Sequence, residues 1–148
     1  MKEDILKYEN RDDLYKFLIE DFGFVKRDEN YSATSFGNFY IELSSDNLLL
    51  RYVNDRPFLT IEIKPLFEPS KWYDLSFIEN FIYHPEDINP DKQEISNAKR
   101  IEGLNRFLKR DFGLISNLYN KENYRNTQEK IGELLKIRFD KRFPGFRE

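Results

Sequence analysis

Between residues 39 and 63 the chain contains three short apolar-rich segments separated by short turns, and in the first and the third of them apolar and polar side chains alternate. A period of two is typical of strands that bury one face. Turns this short join antiparallel neighbours, because a parallel return needs a dozen or more residues. The sequence therefore predicts an antiparallel meander. Its strands are 39–43, 48–53 and 58–63, and its turns are 44–47 and 54–57.

A helix is predicted before the meander, over residues 11–22. Asn10 is a suitable cap, and Gly23 is a suitable end, since glycine tolerates the left-handed conformation found there. The residues with helical spacing are Leu14, Phe17, Leu18 and Phe22. A further strand is predicted at 24–27, with the polar stretch 28–35 ending it.

Three helices are predicted after the meander. Ser70 caps the first of them, Asp91 with Glu94 forms a capping box for the second, and Asn126 with Glu129 repeats that box for the third. Gly113 is expected to end the second helix and Pro144-Gly145 the third. The buried stripes are Trp72, Leu75, Ile78 and Ile82; then Ile101, Leu104, Leu108 and Phe112; and finally Ile131, Leu134, Leu135 and Phe139.

The predicted fold is thus α+β, with an N-terminal helix, a three- to four-stranded antiparallel meander, and three helices packed on the sheet. The 148 residues contain no linker or low-complexity tract, so we expect a single domain over 1–148. No apolar run approaches the ~18 residues of a membrane helix, and no signal segment follows the charged N-terminus. Without cysteine, a cytoplasmic location is the expectation.

Charge divides unevenly along the chain. Residues 1–95 hold 11 basic and 20 acidic side chains, a net −9, whereas residues 96–148 hold 13 and seven, a net +6. The two halves either attract each other within the fold or face different neighbours.

Tests for reaction chemistry find no complete motif, so neither a metal nor a cofactor is expected. His84 is the single histidine and begins an acidic loop, but zinc needs more nitrogen or sulfur ligands and the acidic spacing does not fit calcium. The scattered glycines form no phosphate loop. A small ligand-binding protein, or a hydrolase of unknown substrate that uses His84 or the strand carboxylates, stays open as an alternative.

Charged residues also lie within the meander. Glu42, Arg51 and Glu62 sit near one another on the open face if the strands pair in simple register. Such residues are usually cross-strand pairs on a solvated face, but buried carboxylates beside an arginine suit acid–base chemistry.

A second alternative concerns the basic C-terminal third, where aromatic residues lie among the cations. Basic patches with aromatics bind phosphates and stack bases, although Glu129, Glu133 and Asp140 interrupt this one. We therefore expect a charged helix face here rather than a nucleic-acid site. The cations are Arg125, Lys130, Lys136, Arg138, Lys141, Arg142 and Arg147.

One set of residues is similar to a known family. Phe36-Gly37-Asn38, Glu42, Arg51, Asn54-Asp55-Arg56, Ile61 and Trp72-Tyr73-Asp74-Leu75 occur in this order. Over about residues 11–82 the chain resembles the small bacterial immunity proteins that are encoded with polymorphic or contact-dependent toxins. The shared elements are a short leading helix, an Asp-Arg turn between hydrophobic strands and a tryptophan-containing helix.

The resemblance implies a protein that neutralises a toxin by stoichiometric binding and has no active site of its own. Where the toxin is a nuclease with a basic cleft, the acidic first 95 residues suit that cleft by imitating phosphate charge. We expect neither a membrane nor nucleic acid as partner, and a homodimer is compatible with the sequence. The candidate contacts are Tyr40, Glu42, Arg51, Asp55, Arg56, Glu86, Asp87 and Asp91.

Overall fold

The computed structural model describes residues 11–32, 38–55, 58–83 and 97–142. Within these ranges the chain forms a five-stranded antiparallel sheet and four α-helices, which confirms the α+β class. The capping box predicted at Asp91 and Glu94 and the helix end predicted at Pro144-Gly145 lie outside them. None of the helices in the described ranges is long and apolar enough to cross a membrane.

The sheet follows the order of the chain, with each strand paired to the next one. The predicted meander is confirmed, and every second residue of its three strands is buried, as alternation requires. The sheet nevertheless has five strands instead of three or four. They are β1 Val25–Ser32, β2 Asn38–Ser44, β3 Leu48–Asp55, β4 Phe58–Pro65 and β5 Tyr73–Asp74.

Strand β1 is longer than its composition suggests. The polar stretch from residue 28 was expected to end it, but pairing with β2 continues to Ser32. The register shifts between Lys26 and Asp28, which marks a β-bulge at Arg27. Pairing to β2 supplies the backbone hydrogen bonds that keep these polar residues extended, so the prediction of a strand limited to 24–27 was wrong.

The leading helix contains two parts. A 3₁₀ turn, Arg11–Leu14, precedes α1, Lys16–Phe22. Gly23 ends α1 in the left-handed conformation, with a φ of 71°, and the backbone N–H of Phe24 donates to the Leu18 carbonyl at 3.0 Å. The left-handed glycine and this hydrogen bond end the helix at the residue that the sequence predicts.

The segment around Trp72 differs from its prediction. Tyr73 and Asp74 pair with Ile63 and Glu62 as β5, and α2 begins only at Leu75, covering Leu75–Tyr83. The Asp74 carboxylate accepts a hydrogen bond from the backbone N–H of Ser76 at 2.9 Å, so Asp74 takes the capping role predicted for Ser70. Trp72 consequently precedes the helix and is not part of its buried stripe.

The last two helices also differ from their predictions in length. Helix α3, Asn97–Leu118, passes Gly113 with an irregularity at Asp111, where φ is −116° and ψ is 20°. Helix α4, Tyr124–Arg142, begins before Asn126, the residue predicted to cap it. Its predicted stripe is only partly buried, because Ile131 lies in the core but Phe139 is 43% exposed.

A single core joins the sheet to the helices. Its members are the inward-facing residues of the strands together with residues of α1 to α4, so the described helices lie on one side of the sheet. Two hydrogen bonds that share the side chain of Asn105, here called the Asn105 relay, cross this layer. The Tyr52 hydroxyl donates to Asn105 Oδ1 at 2.7 Å, and Asn105 Nδ2 donates to the Leu14 carbonyl at 3.0 Å.

Candidate functional site: the outer face of the sheet

The side of the sheet that faces away from the helices is here called the outer face. Side chains alternate along each strand, so the residues between the buried ones point to this side. It is half-buried to exposed, and Val25 and Phe58 on it are 63% and 60% exposed. Its other principal members are Asp28, Tyr40, Glu42, Leu49, Arg51, Val53, Asp55, Thr60, Glu62, Lys64 and Asp74.

Strand register brings five charged residues of the outer face into one row across all five strands. Asp28 lies opposite Glu42, Glu42 opposite Arg51, Arg51 opposite Glu62, and Glu62 opposite Asp74. We call these five residues the carboxylate row. It contains four carboxylates and one guanidinium, so its formal charge is negative along most of its length.

The guanidinium of Arg51 is held within the protein. Its Nε and Nη2 atoms both donate to Glu62 Oε1, at 2.9 and 2.6 Å. The guanidinium carbon also lies 4.2 Å from the ring centroid of Trp72, a cation–π contact. With Arg51 and Glu62 about 30% exposed, this cluster fixes the position of Arg51 more firmly than a solvated pair would.

Tyr40 and Asp28 form a second pair on the outer face. The Tyr40 hydroxyl donates to Asp28 Oδ2 at 2.7 Å, and the backbone N–H of Glu29 donates to Asp28 Oδ1 at 2.8 Å. The hydrogen bond to Asp28 raises the pKa of Tyr40 above its usual value of 10.0, because only the protonated phenol can donate it.

Glu42 differs from the other carboxylates of the row. Asp28 accepts from Tyr40, Glu62 accepts from Arg51, and Asp74 accepts from the backbone of Ser76. Within the part of the chain that the structure describes, the Glu42 carboxylate has no hydrogen bond and no ion pair. It lies between Asp28 and an Arg51 that is turned toward Glu62.

The structure thus brings together three of the candidate contacts, Tyr40, Glu42 and Arg51, and puts Asp55 at the far end of β3 opposite Phe58. Arg56, Glu86, Asp87 and Asp91 lie outside the described residues, as does His84.

Sequence reasoning did not select Asp28, Phe58, Trp72 and Asp74 as site residues. Asp28 was expected to lie in a loop and Trp72 in a helix stripe, and both expectations were wrong. Asp74 lies on the outer face because β5 pairs with β4, and this pairing joins only two residues of each strand. No local pattern reveals so short a ladder.

The described residues contain no group of three or more metal-ligating side chains. One cleft among them, lined by Glu79, Asn80, Tyr83 and Arg110, has a volume of about 570 Å³. On α4, the cations Arg125, Lys130 and Lys136 are exposed, but so are Glu129 and Glu133. The mixture of signs on this helix matches the charged solvent face expected from sequence.

Comparisons of the chain with protein-family models, with curated proteins and with solved structures find no match.

Proposed function

We propose that this protein is a stoichiometric protein-binding module, and that it acts as an immunity protein, neutralising a cognate bacterial toxin in the cytoplasm without catalysis of its own. The observation that carries the proposal is the outer face of the sheet. The described helices leave it uncovered, and it combines exposed apolar side chains, aromatic rings and the carboxylate row.

This combination suits a protein interface. Interfaces combine apolar and aromatic side chains with charged groups that set the partner's orientation and speed the encounter. Here Tyr40, Trp72 and Phe58 supply the rings, and the carboxylate row supplies the charge. A toxin with a basic cleft, such as a nuclease, has the complementary charge. The loose resemblance over residues 11–82 supports this choice among binding proteins, although Trp72 lies ahead of its helix rather than in it.

The test is capture of a partner from lysate of the native host. Tagged wild-type protein and a Glu42→Lys variant are used at low salt and at about 0.5 M salt, a concentration at which surface charges are screened. We expect one basic protein, retained by the wild type at low salt and weakened by both changes. Titration calorimetry with the purified partner should give a one-to-one complex, and co-expression should restore growth of cells that make the partner.

Two results would refute this function. One is recovery of no protein, or of RNA or DNA alone, which would favour the exposed cations of α4 as the binding surface. The other is a captured protein that is equally active or toxic in the presence of a molar excess of this chain.

A further inference from the structure

The outer face places two carboxylates side by side, and neither has an ion pair among the described residues. Glu42 and Asp28 lie directly opposite each other on neighbouring strands, and like charges in this position destabilise a sheet. The Tyr40 hydroxyl donates a hydrogen bond to Asp28, but as a neutral donor it brings no positive charge to the pair.

None of the described cations near Glu42 and Asp28 forms an ion pair with either carboxylate. Arg51 bonds to Glu62 and stacks on Trp72, and Lys64 lies 3.0 Å from Glu68. Lys26 lies on the inward side of β1, paired with Glu29 and close to the Tyr15 ring. Among the described residues, Arg27 at the bulge forms no ion pair with either Asp28 or Glu42.

Exposed apolar groups lie on the same face as this charged pair. Val25 lies on β1 opposite Ser44, and Phe58 lies on β4 opposite Asp55, so the two mark opposite ends of the outer face. Both are more than half exposed, while Leu49 and Val53 between them are half-buried. A partner that supplied only charge would leave these side chains in water.

We propose that the outer face docks a basic protein surface that supplies an arginine or lysine side chain to Glu42 and Asp28 and apolar side chains to Val25 and Phe58. The inference rests on the proposed protein-binding function and names the chemistry of the partner. The incoming cation relieves the repulsion between the two carboxylates and gives Glu42 its ion pair.

Arg51 has a different role from the contact that the sequence suggested. Because Glu62 and Trp72 hold its guanidinium, Arg51 is a positioning residue that limits the cation to the side of Glu42 facing Asp28. It also separates the Glu42–Asp28 pair from the carboxylates of β4 and β5.

The binding test uses a capped peptide of alternating arginine and leucine residues, followed by backbone amide NMR shifts. We expect shifts centred on β1 and β2, no binding of the peptide with glutamate in place of arginine, and about threefold to tenfold weaker binding by Glu42→Gln. Glu133→Gln, which removes an exposed carboxylate on α4, is the matched control and should leave the affinity unchanged.

A stability measurement separates a docking role from a structural one. Since Glu42 lies opposite Asp28 and has no ion pair among the described residues, Glu42→Gln should raise the urea midpoint, whereas Glu62→Gln should lower it by releasing Arg51. A lower midpoint for Glu42→Gln, failure of the arginine peptide to bind wild type, or binding that is insensitive to Glu42→Gln would each overturn the inference.

These outcomes are distinct from those that test the function. A captured partner that binds wild type and Glu42→Gln with the same affinity refutes the docking mode and leaves neutralisation standing. Absence of any partner refutes neutralisation, whereas the peptide and stability results still decide the chemistry of the outer face.

Discussion

Asp111 links two helices through a single side chain. Its Oδ2 atom accepts hydrogen bonds from the Tyr83 hydroxyl at 2.6 Å and from Arg110 Nε at 2.9 Å. Tyr83 ends α2, so these bonds join that helix to α3 where α3 departs from helical geometry. The hydrogen bond from Tyr83, followed by that from Arg110, holds the pKa of Asp111 below its usual value of 3.8.

We expect this lowered pKa to make stability depend on pH. Because the folded-state pKa lies below the unfolded value of 3.8, the stabilisation is complete above 3.8 and is lost as pH falls through the folded value. Urea unfolding across this range should therefore show a steeper acid loss for wild type than for Asp111→Asn. Asp13→Asn, which removes an exposed carboxylate, should follow wild type. Equal acid losses for wild type and Asp111→Asn would contradict the prediction.

At the scale of single elements, two glycines have opposite roles. Gly23 adopts a positive φ at the end of α1, whereas Gly103 lies inside α3. A Cβ atom built on either residue meets no atom within 4 Å, so sterically both sites accept a methyl group. Backbone conformation alone separates them.

Alanine substitution at these glycines should change stability in opposite directions. Gly23→Ala forces an alanine into the left-handed region and should lower the free energy of unfolding by about 1 kcal/mol. Gly103→Ala should raise it by about 0.5–1 kcal/mol, because alanine loses less entropy than glycine inside a helix. Thermal and urea unfolding of both variants measure this, and a change of the same sign in both would refute it.

Across the whole molecule, the Asn105 relay connects distant parts of the chain. Tyr52 belongs to the sheet, Asn105 to α3 and Leu14 to the N-terminal 3₁₀ turn. Tyr52 is fully buried, so its hydroxyl depends on a protein acceptor.

Removing the Asn105 amide should therefore lower the free energy of unfolding more than removing the Tyr52 hydroxyl. Asn105→Ala withdraws the Asn105 acceptor and donor together, and we expect a loss of about 2 kcal/mol in the free energy of unfolding. Tyr52→Phe should cost about 1 kcal/mol, and the double variant should cost less than the sum. Asn126→Ala, at an exposed position of α4, is the control, with a change within about 0.5 kcal/mol. Additive losses in the double-mutant cycle would show that the two side chains do not act together.

Much of the fold is readable from local pattern. The alternation in 39–43 and 58–63 and the glycine at 23 predict the meander and the end of α1, because a half-buried strand and a left-handed cap each demand particular residues at fixed positions. The expected simple register of the meander likewise puts Glu42, Arg51 and Glu62 opposite one another. These features depend on neighbours close in sequence.

Other features depend on partners that are distant in sequence or join only a few residues. Polar β1 is extended because β2 pairs with it, β5 forms because two residues meet β4, and Trp72 lies on the outer face because Arg51 and Lys64 approach its ring. The unpaired state of Glu42 arises in the same way, since Arg51 selects one of two carboxylates in register. Local sequence defines which residues face the outer side of the sheet. Only tertiary packing decides which charged side chains on that side remain available to a partner.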